Sequence, residues 1–458
     1  MVQRSGTTVR RRPRVDWDEL VLVALAAVWQ CRLELAVLVA AVCAQRVAAS
    51  SLGEWSATVL AVLLAAMSVG IASFRQRLCR LLRRASVRRA WERSATDVGL
   101  SEGPFCVPRV LEARRIPAGD VLLVRVRRGQ SVAALGARSP ELAACLRVRE
   151  VRVEQVAADA AIARVTLMRR DPFEAAAPLP WPHVSSDVAS LWEPVPLGVN
   201  EHGEPVKIGL AERNVLIGGE PGAGKSAALS MLVATAALDP SARVWLLDGK
   251  LVELAAWAPA AERIVGPDGE QAIELLREVR EVMEARYREL LARGLRKVPR
   301  QDGLPLHLVV CDELAFYLTL PDKRLRQEFA ELLRDLVARG RAAGVIVVAA
   351  TQKPGADVVP SALRDLFGFR LALRCNTPQA SDTILGQGWA SAGADASQIP
   401  AGQRGVGLLL AEDERPVRLK CFYLADDDVQ TIAERAASRR AEVWLAAGGE
   451  AVSEGASA

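Results

Sequence analysis

Eight residues constrain this chain more than any other stretch: Gly219-Glu220-Pro221-Gly222-Ala223-Gly224-Lys225-Ser226. They fit the spacing G-x-x-x-x-G-K-[ST] of a glycine-rich phosphate-cradling loop. Ahead of the loop, Asn214-Val215-Leu216-Ile217 reads as a strand. Behind it, Ala227-Ala228-Leu229-Ser230-Met231-Leu232-Val233 reads as a helix. A strand, a tight loop and a helix start aim consecutive main-chain N–H groups at one spot, where the helix N-terminus adds positive potential. All eight residues are therefore expected to bind nucleotide. Lys225 would reach the β/γ-phosphates of ATP, and Ser226 would hold Mg²⁺.

The segments that follow supply the rest of a nucleotide site. Val244-Trp245-Leu246-Leu247 reads as a strand ending in Asp248-Gly249-Lys250. Residues 270–293 carry Ile273, Leu276, Val279, Met283, Tyr287 and Leu290 at helical spacing, a core-packing stripe stopped by Gly294. Leu306 to Cys311 is a buried strand ending in Asp312-Glu313. Downstream of a phosphate loop, that ending is a Walker B pattern. Asp312 would organise the cation, and Glu313 would orient or deprotonate the attacking water. His307 on this strand reads as a core histidine, since no second metal ligand is in view. Leu325, Phe329, Leu332, Leu333 and Leu336 stripe another helix expected to end near Gly340. Val345 to Ala350 is a strand ending in Thr351-Gln352, where Gln352 would contact the γ-phosphate and report nucleotide state. This order predicts an α/β fold with a parallel sheet and ATP at the strands' C-terminal edge.

The 458 residues leave room for more than one domain. Trp55 to Phe74 is twenty residues without a charge, enough to span a hydrocarbon core of ~30 Å. Residues 75–93 then hold eight Arg and one Glu, a cytoplasmic flank that binds anionic lipid headgroups or, as a second reading, nucleic-acid phosphates. A second apolar stretch, Leu20 to Cys43, is interrupted by Arg32 and Glu34. Two spans in a hairpin put this flank and the basic N-terminus on the same, inner side. Between residues 95 and 172, short strands at 121–126, 151–153 and 161–168 and a helix over 139–146 predict a small α/β domain. Pro172 to Pro196, rich in Pro, Trp and Ala, reads as a linker. The eight cysteines are scattered without C-x-x-C, and with three histidines they offer no zinc spacing; they read as thiols in a reducing compartment.

Several segments together resemble the FtsK/SpoIIIE family of hexameric DNA translocases. Pro196 to Val206 resembles the lead-in to that family's phosphate loop, and Met283-Glu284-Ala285-Arg286-Tyr287 its Met-Glu-x-Arg-Tyr helix. Gly340-Arg341-Ala342-Ala343-Gly344 followed by Ala350-Thr351-Gln352-Lys353-Pro354 resembles its glycine-flanked turn and Ala-Thr-Gln-Arg-Pro strand end. Phe369 to Arg374 and Ser381 to Gly388 match its next strand and S-x-T-I-L-x-x-G helix. The resemblance covers roughly 95–425. It implies a RecA-like motor tethered to the cytoplasmic membrane, with its motor in the cytoplasm, and forming a homo-oligomeric, hexameric ring around double-stranded DNA. It also implies that Arg341 acts as an arginine finger on a neighbouring subunit's ATP, with Arg339 and Arg374 as rivals.

Two departures shape the expectation. Asp248-Gly249-Lys250 stands where cell-division members carry Asp-Pro-Lys. After Leu424, Asp426 to Leu445 suits one charged helix, too little for a winged-helix module that reads DNA polarity. The expected organisation is a basic N-terminus (1–18), two transmembrane helices (19–74; about 20–46 and 55–74) and a basic juxtamembrane segment (75–94). A small α/β domain (95–172), a linker (173–195), the ATPase motor (196–425) and a C-terminal helix with a disordered tail (426–458) follow. By analogy with transfer proteins of actinobacterial plasmids and integrative elements, the expected role is ATP-driven movement of double-stranded DNA in conjugation. The alternatives are a secretion or coupling ATPase acting on protein, a chromosome-partitioning translocase, and a non-motor assembly switch.

Overall fold

The computed structural model describes residues 83–84, 86–100, 107–156, 158–174, 177–186, 188–355, 358–411 and 415–454, with side-chain environments through residue 442. The two expected membrane spans lie outside these residues. Among the described residues, no helix is long and apolar enough to cross a membrane. The chain divides after Arg93 into two units. In the first, the described residues 83–84 and 86–93 are helical.

The second unit begins with a four-stranded antiparallel sheet. Its elements are β1 (Arg109–Ile116), β2 (Gly119–Arg125), α1 (Val132–Ala137), α2 (Ser139–Leu146), β3 (Glu150–Val156) and β4 (Asp159–Met168), and the strand order is β1-β2-β4-β3. Alternation on β2 and β4 buries Leu122, Val124, Ala163, Val165 and Leu167. The helices cover β3 and β4, and Ser131 caps α1 by accepting from the Ala134 N–H at 3.0 Å. Strand β1 is not evident from the sequence. Its Arg-Val-Leu-Glu-Ala-Arg-Arg-Ile lacks alternation, and its pairing with β2 slips between Val110 and Glu112.

A second, larger sheet follows. Its strands are β5 (Leu179–Pro180), β6 (Val195–Asn200), β7 (Pro205–Ile208), β8 (Val215–Gly218), β9 (Arg243–Leu247), β10 (Arg263–Val265), β11 (His307–Cys311), β12 (Val345–Thr351), β13 (Phe369–Leu373), β14 (Val406–Leu410) and β15 (Val417–Tyr423). Among the described residues the order is β10-β9-β11-β12-β8-β13-β14-β15-β6-β7, with β5 also against β15. From β10 to β13 every pairing is parallel; from β13 to β7 every pairing is antiparallel. The antiparallel flank was not foreseen from the motif order.

The helices are α3 (Lys225–Ala237), α4 (Gly269–Ala292), α5 (Leu314–Leu318), α6 (Lys323–Ala343), α7 (Ser361–Arg364), α8 (Pro378–Leu385) and α9 (Asp426–Glu454). The parallel strands read as unbroken apolar runs because both faces are covered. Ile217, Leu246, Val310 and Val348 face one core with Leu229 of α3 and Ile432 of α9. Leu216, Leu247, Val309 and Val347 face the other with Leu276 of α4 and Phe329 of α6. Buried Asn214 ties these layers at the sheet's other edge. Its Nδ2 donates to the Val337 carbonyl at 2.8 Å, and its Oδ1 accepts from the Val347 N–H at 2.7 Å.

Three boundaries differ from the sequence reading. Helix α6 runs past Gly340 to Ala343, so Arg341 sits in its last turn rather than in a separate loop. The stretch read as a linker is docked, with Phe173, Trp181 and Leu191 buried in the cores of the large sheet. Helix α9 extends to Glu454, and Val429, Ile432, Ala433 and Ala436 make it part of the motor's core. For the docked segment and the apolar face of α9, burial against distant elements decided the outcome, which local composition does not encode.

Candidate nucleotide site

Strand register brings the site together. Thr351 lies opposite Gly218, Ala349 opposite Cys311, and Cys311 opposite Leu247. The ends of β8, β12, β11 and β9 therefore meet at one edge. The phosphate loop, Asp312-Glu313, Thr351-Gln352 and Asp248-Gly249-Lys250 all emerge there.

The loop Gly219–Ser226 wraps between β8 and α3. Gly222 and Gly224 have φ of +77° and +108°, which an L side chain resists. A Cβ on Gly224 would lie 2.7 Å from the main chain of Gly405. The loop preceding β14 therefore packs directly on the phosphate loop, and the Gly405 N–H donates to the Ala223 carbonyl at 2.8 Å. Glu220 is held by Arg374 at the end of β13: its N–H donates to the Arg374 carbonyl at 2.9 Å, and its carboxylate pairs with the guanidinium at 3.2 Å.

Lys225 is buried, and burial lowers its pKa, opposed by Glu313. Its Nζ donates to the main-chain oxygen of Asp312 at 2.9 Å and lies 3.4 Å from Oε2 of Glu313. Glu313 also accepts from the Thr351 hydroxyl at 3.0 Å and from the Gln352 N–H at 3.1 and 3.2 Å. Gln352 thus meets Glu313 through its main chain, while the adjacent Thr351 meets it through its side chain.

Asp312 is fully buried, and its Oδ1 accepts from the Gly249 N–H at 2.7 Å. Its Oδ2 is buried with no hydrogen-bond partner. Burial raises its pKa to about 6, against the Gly249 hydrogen bond. A buried carboxylate oxygen without a partner, near a glycine loop that runs into a helix start, fits a cation accompanying a polyphosphate. Ser226 and Asp312 are the residues that would hold it. The Gly249 contact bears on the departure from Asp-Pro-Lys, because proline has no N–H to give Asp312.

Of the three arginines considered for a trans role, Arg374 lies at its own phosphate loop. Arg339 is engaged by Asp335 at 3.0 Å and Glu284 at 2.6 Å, over the ring of Tyr287. Arg341 has an exposed side chain and pairs with Glu212 at 3.6 Å. It precedes β12, whereas Thr351 ends it. The seven extended residues of β12 span about 20 Å, so Arg341, in the helix turn ahead of β12, lies toward the opposite end of that strand from its own chain's site. His307 accepts from the Trp245 indole N–H at 3.1 Å, and burial lowers its pKa to about 4. It is a neutral core histidine.

Sequence reasoning missed four contributors: Thr351 as the side chain on Glu313, Glu253 and Lys250 beside Ser226 and Glu313, and Gly405 over the loop. Lys250 and Glu253 carried a signal, since they directly follow a strand ending in Asp248. Gly405 carried none.

The fold and this site define the class of P-loop ATPases. Residues 186–411 match the model of the FtsK/SpoIIIE family. The chain is similar to the DNA translocase FtsK of Streptococcus agalactiae serotype V (strain ATCC BAA-611 / 2603 V/R), 27% identical over 359 residues, 71% of this chain and 42% of that protein. It is 25% identical over 331 residues to the DNA translocase FtsK of Lactococcus lactis subsp. cremoris (strain MG1363), covering 68% of this chain and 42% of that protein. The chain thus spans well under half the length of these relatives. Its fold is shared with the pCW3 conjugation coupling protein TcpA, monomer form with ATPγS, at a TM-score of 0.51 and 19% identity, covering 77% of this chain and 99% of that one.

Proposed function

We propose that the protein is a membrane-anchored, ring-forming ATPase of RecA-like fold that moves double-stranded DNA, acting in conjugative transfer. The observation that carries the ATPase reading is the set of contacts on Glu313. Lys225, the Thr351 hydroxyl and the Gln352 N–H hold its carboxylate at the strand edge where the phosphate loop opens.

ATP is the substrate. The loop's main-chain N–H groups and Lys225 hold its phosphates, and Ser226 and Asp312 hold the cation, Mg²⁺ in this reading. The bound cation would neutralise charge on the transferring phosphoryl group. Glu313 aligns a water and takes its proton, its position fixed by Thr351 and Gln352. Arg341, on the far side of the sheet, serves a neighbouring chain's site, so hydrolysis depends on assembly into a ring. Matches to DNA translocases support DNA as the cargo, and the fold shared with a conjugation coupling protein supports conjugation as the setting. The apolar segments near 20–46 and 55–74 support anchoring in the cytoplasmic membrane, with the motor inside the cell.

The test is the ATPase rate of the full chain with and without double-stranded DNA, at low and moderate salt, with Glu313→Gln as control. Stimulation that weakens with salt and vanishes in the variant is the expected result. An assembled ring that DNA does not stimulate, but a protein substrate does, would overturn DNA as cargo.

A further inference from the structure

The hydroxyl of Ser226 has a partner that the motif does not supply. Its Oγ donates to Oε2 of Glu253. Asp312 leaves this role open, because its Oδ1 accepts from Gly249 and its Oδ2 has no partner. Glu253 sits on the loop following β9, and that loop is built rather than loose. Buried Asp248 accepts from the Lys250 N–H at 3.2 Å and from the Leu254 N–H at 2.9 Å, pinning the loop at both ends. Between them Leu251 adopts φ of +68°, a left-handed conformation that a leucine takes only where its surroundings impose it. The loop also brings Lys250 between two carboxylates, 3.6 Å from Oε1 of Glu253 and 4.0 Å from Oε2 of Glu313.

We propose that Glu253 is a positioning residue for the divalent cation that accompanies the nucleotide, acting through Ser226. A hydroxyl has one proton and two lone pairs. With the proton committed to Glu253, the rotor is fixed and both lone pairs remain for a cation. The carboxylate also adds negative charge beside that position, and Lys250 holds the carboxylate in place. The inference rests on Ser226 being a cation ligand.

The experiment measures binding of a non-hydrolysable ATP analogue to the full chain, first in chelator and then across a Mg²⁺ titration. Mn²⁺ occupancy by electron paramagnetic resonance is the second readout. Glu253→Ala should leave affinity in chelator unchanged and raise the Mg²⁺ midpoint about tenfold, the size typical of losing a group that orients a metal ligand. Glu253→Gln keeps an acceptor oxygen and loses the charge, so its midpoint should lie between the two. Ser226→Ala separates the possible failures. If Ser226→Ala shifts the midpoint and Glu253→Ala does not, the inference about Glu253 is wrong while the cation site stands. If neither shifts it, Ser226 is not a cation ligand and both readings fall. If Glu253→Ala weakens binding equally in chelator, Glu253 shapes the loop for nucleotide instead, which also overturns the proposal.

Discussion

The Thr351 hydroxyl donates to Oε1 of Glu313 at 3.0 Å, joining the end of β12 to the second residue after β11. Thr351 is fully buried, so the hydrogen bond is shielded from water. Replacing Thr351 by Val preserves shape and removes the donor. A bond to a charged group is worth about 1.5–3 kcal/mol, so kcat should fall roughly ten- to a hundredfold. Nucleotide affinity should hold, because the Thr351 side chain touches the carboxylate, while the residue meets the phosphate loop through its main-chain carbonyl, which accepts from the Gly219 N–H at 3.2 Å and is kept in the valine variant. Steady-state kinetics with a parallel binding measurement would show a kcat loss at constant affinity; an affinity loss would contradict this placement.

Asp312 makes the site costly to the fold. Its pKa stands at about 6 against an ordinary 3.8, so the folded chain holds this proton more tightly than the unfolded one. Stability is therefore lost as pH rises from about 4 through 6, on the order of 3 kcal/mol. Asp312→Asn keeps an acceptor for Gly249 and carries no charge. Its melting temperature at pH 8 should exceed that of the wild type by several degrees, with the gap closing towards pH 4, while ATPase activity is lost. Calorimetry at several pH values would reveal the trend, and a gap independent of pH would refute it.

Gly249 tests the same carboxylate from the other side. Its ideal Cβ would sit 3.4 Å from Oδ1 of Asp312, an ordinary contact, so Gly249→Ala should be mild. Gly249→Pro removes the N–H that Asp312 accepts. A buried acceptor left unmet costs about 1–3 kcal/mol. The proline variant should thus melt lower than the alanine variant, and equal melting would show that the hydrogen bond contributes nothing.

Arg341 lies ahead of the β12 end opposite its own phosphate loop, so in the proposed ring its effect should be complementable between chains. Arg341→Ala and Lys225→Ala should each abolish hydrolysis alone. Mixed assemblies should recover part of it, because a Lys225→Ala chain can present Arg341 to an intact site next door. Activity measured across mixing ratios would rise to a maximum at intermediate composition. A flat line at zero would count against Arg341 as the trans group.

Arg418 anchors a network between the two sheets. It donates to Asp171 at 2.8 Å, to Glu201 at 2.8 Å and to Gln403 at 2.8 Å, and Glu201 also takes Arg152 of β3. Burial pushes the Asp171 carboxyl up, but hydrogen bonds from Arg418 and Gln403 outweigh it and bring its pKa to about 2. The stability this lends is present above pH 4 and lost as pH falls through about 2. Arg418→Met would remove the cation nearest Asp171, leaving Gln403 at 2.9 Å and Arg149 at 3.8 Å, and breaking such a pair costs about 3–5 kcal/mol. Adding Asp171→Asn should restore much of the loss. Because Gln403 lies two residues before Gly405, which packs against the phosphate loop, the single variant should also weaken nucleotide binding. Denaturation and binding measured on both variants would check each part.

Much of the site was legible in the sequence because its chemistry depends on close neighbours along the chain. The glycines, Lys225 and Ser226 must be adjacent to form a loop at a helix start. Asp312 and Glu313 must follow an apolar strand to sit at a sheet edge. Such local demands leave local signatures, and the small domain's helix at Ser139–Leu146 was legible for the same reason. Other contributors join the site only through strand order and register. Thr351 reaches Glu313 because β12 lies beside β11, and Gly405 meets Gly224 because the chain returns some 180 residues later. The docked segment around Trp181 and Leu191, and the apolar face of α9, follow from burial against elements far along the chain. The sequence by itself determined the phosphate loop, the acidic strand end and the alternation of strand and helix. Only the tertiary structure decided what holds Glu313, what partners the Ser226 hydroxyl and that Arg341 pairs with Glu212, because those depend on contacts between residues that nothing in the linear order makes neighbours.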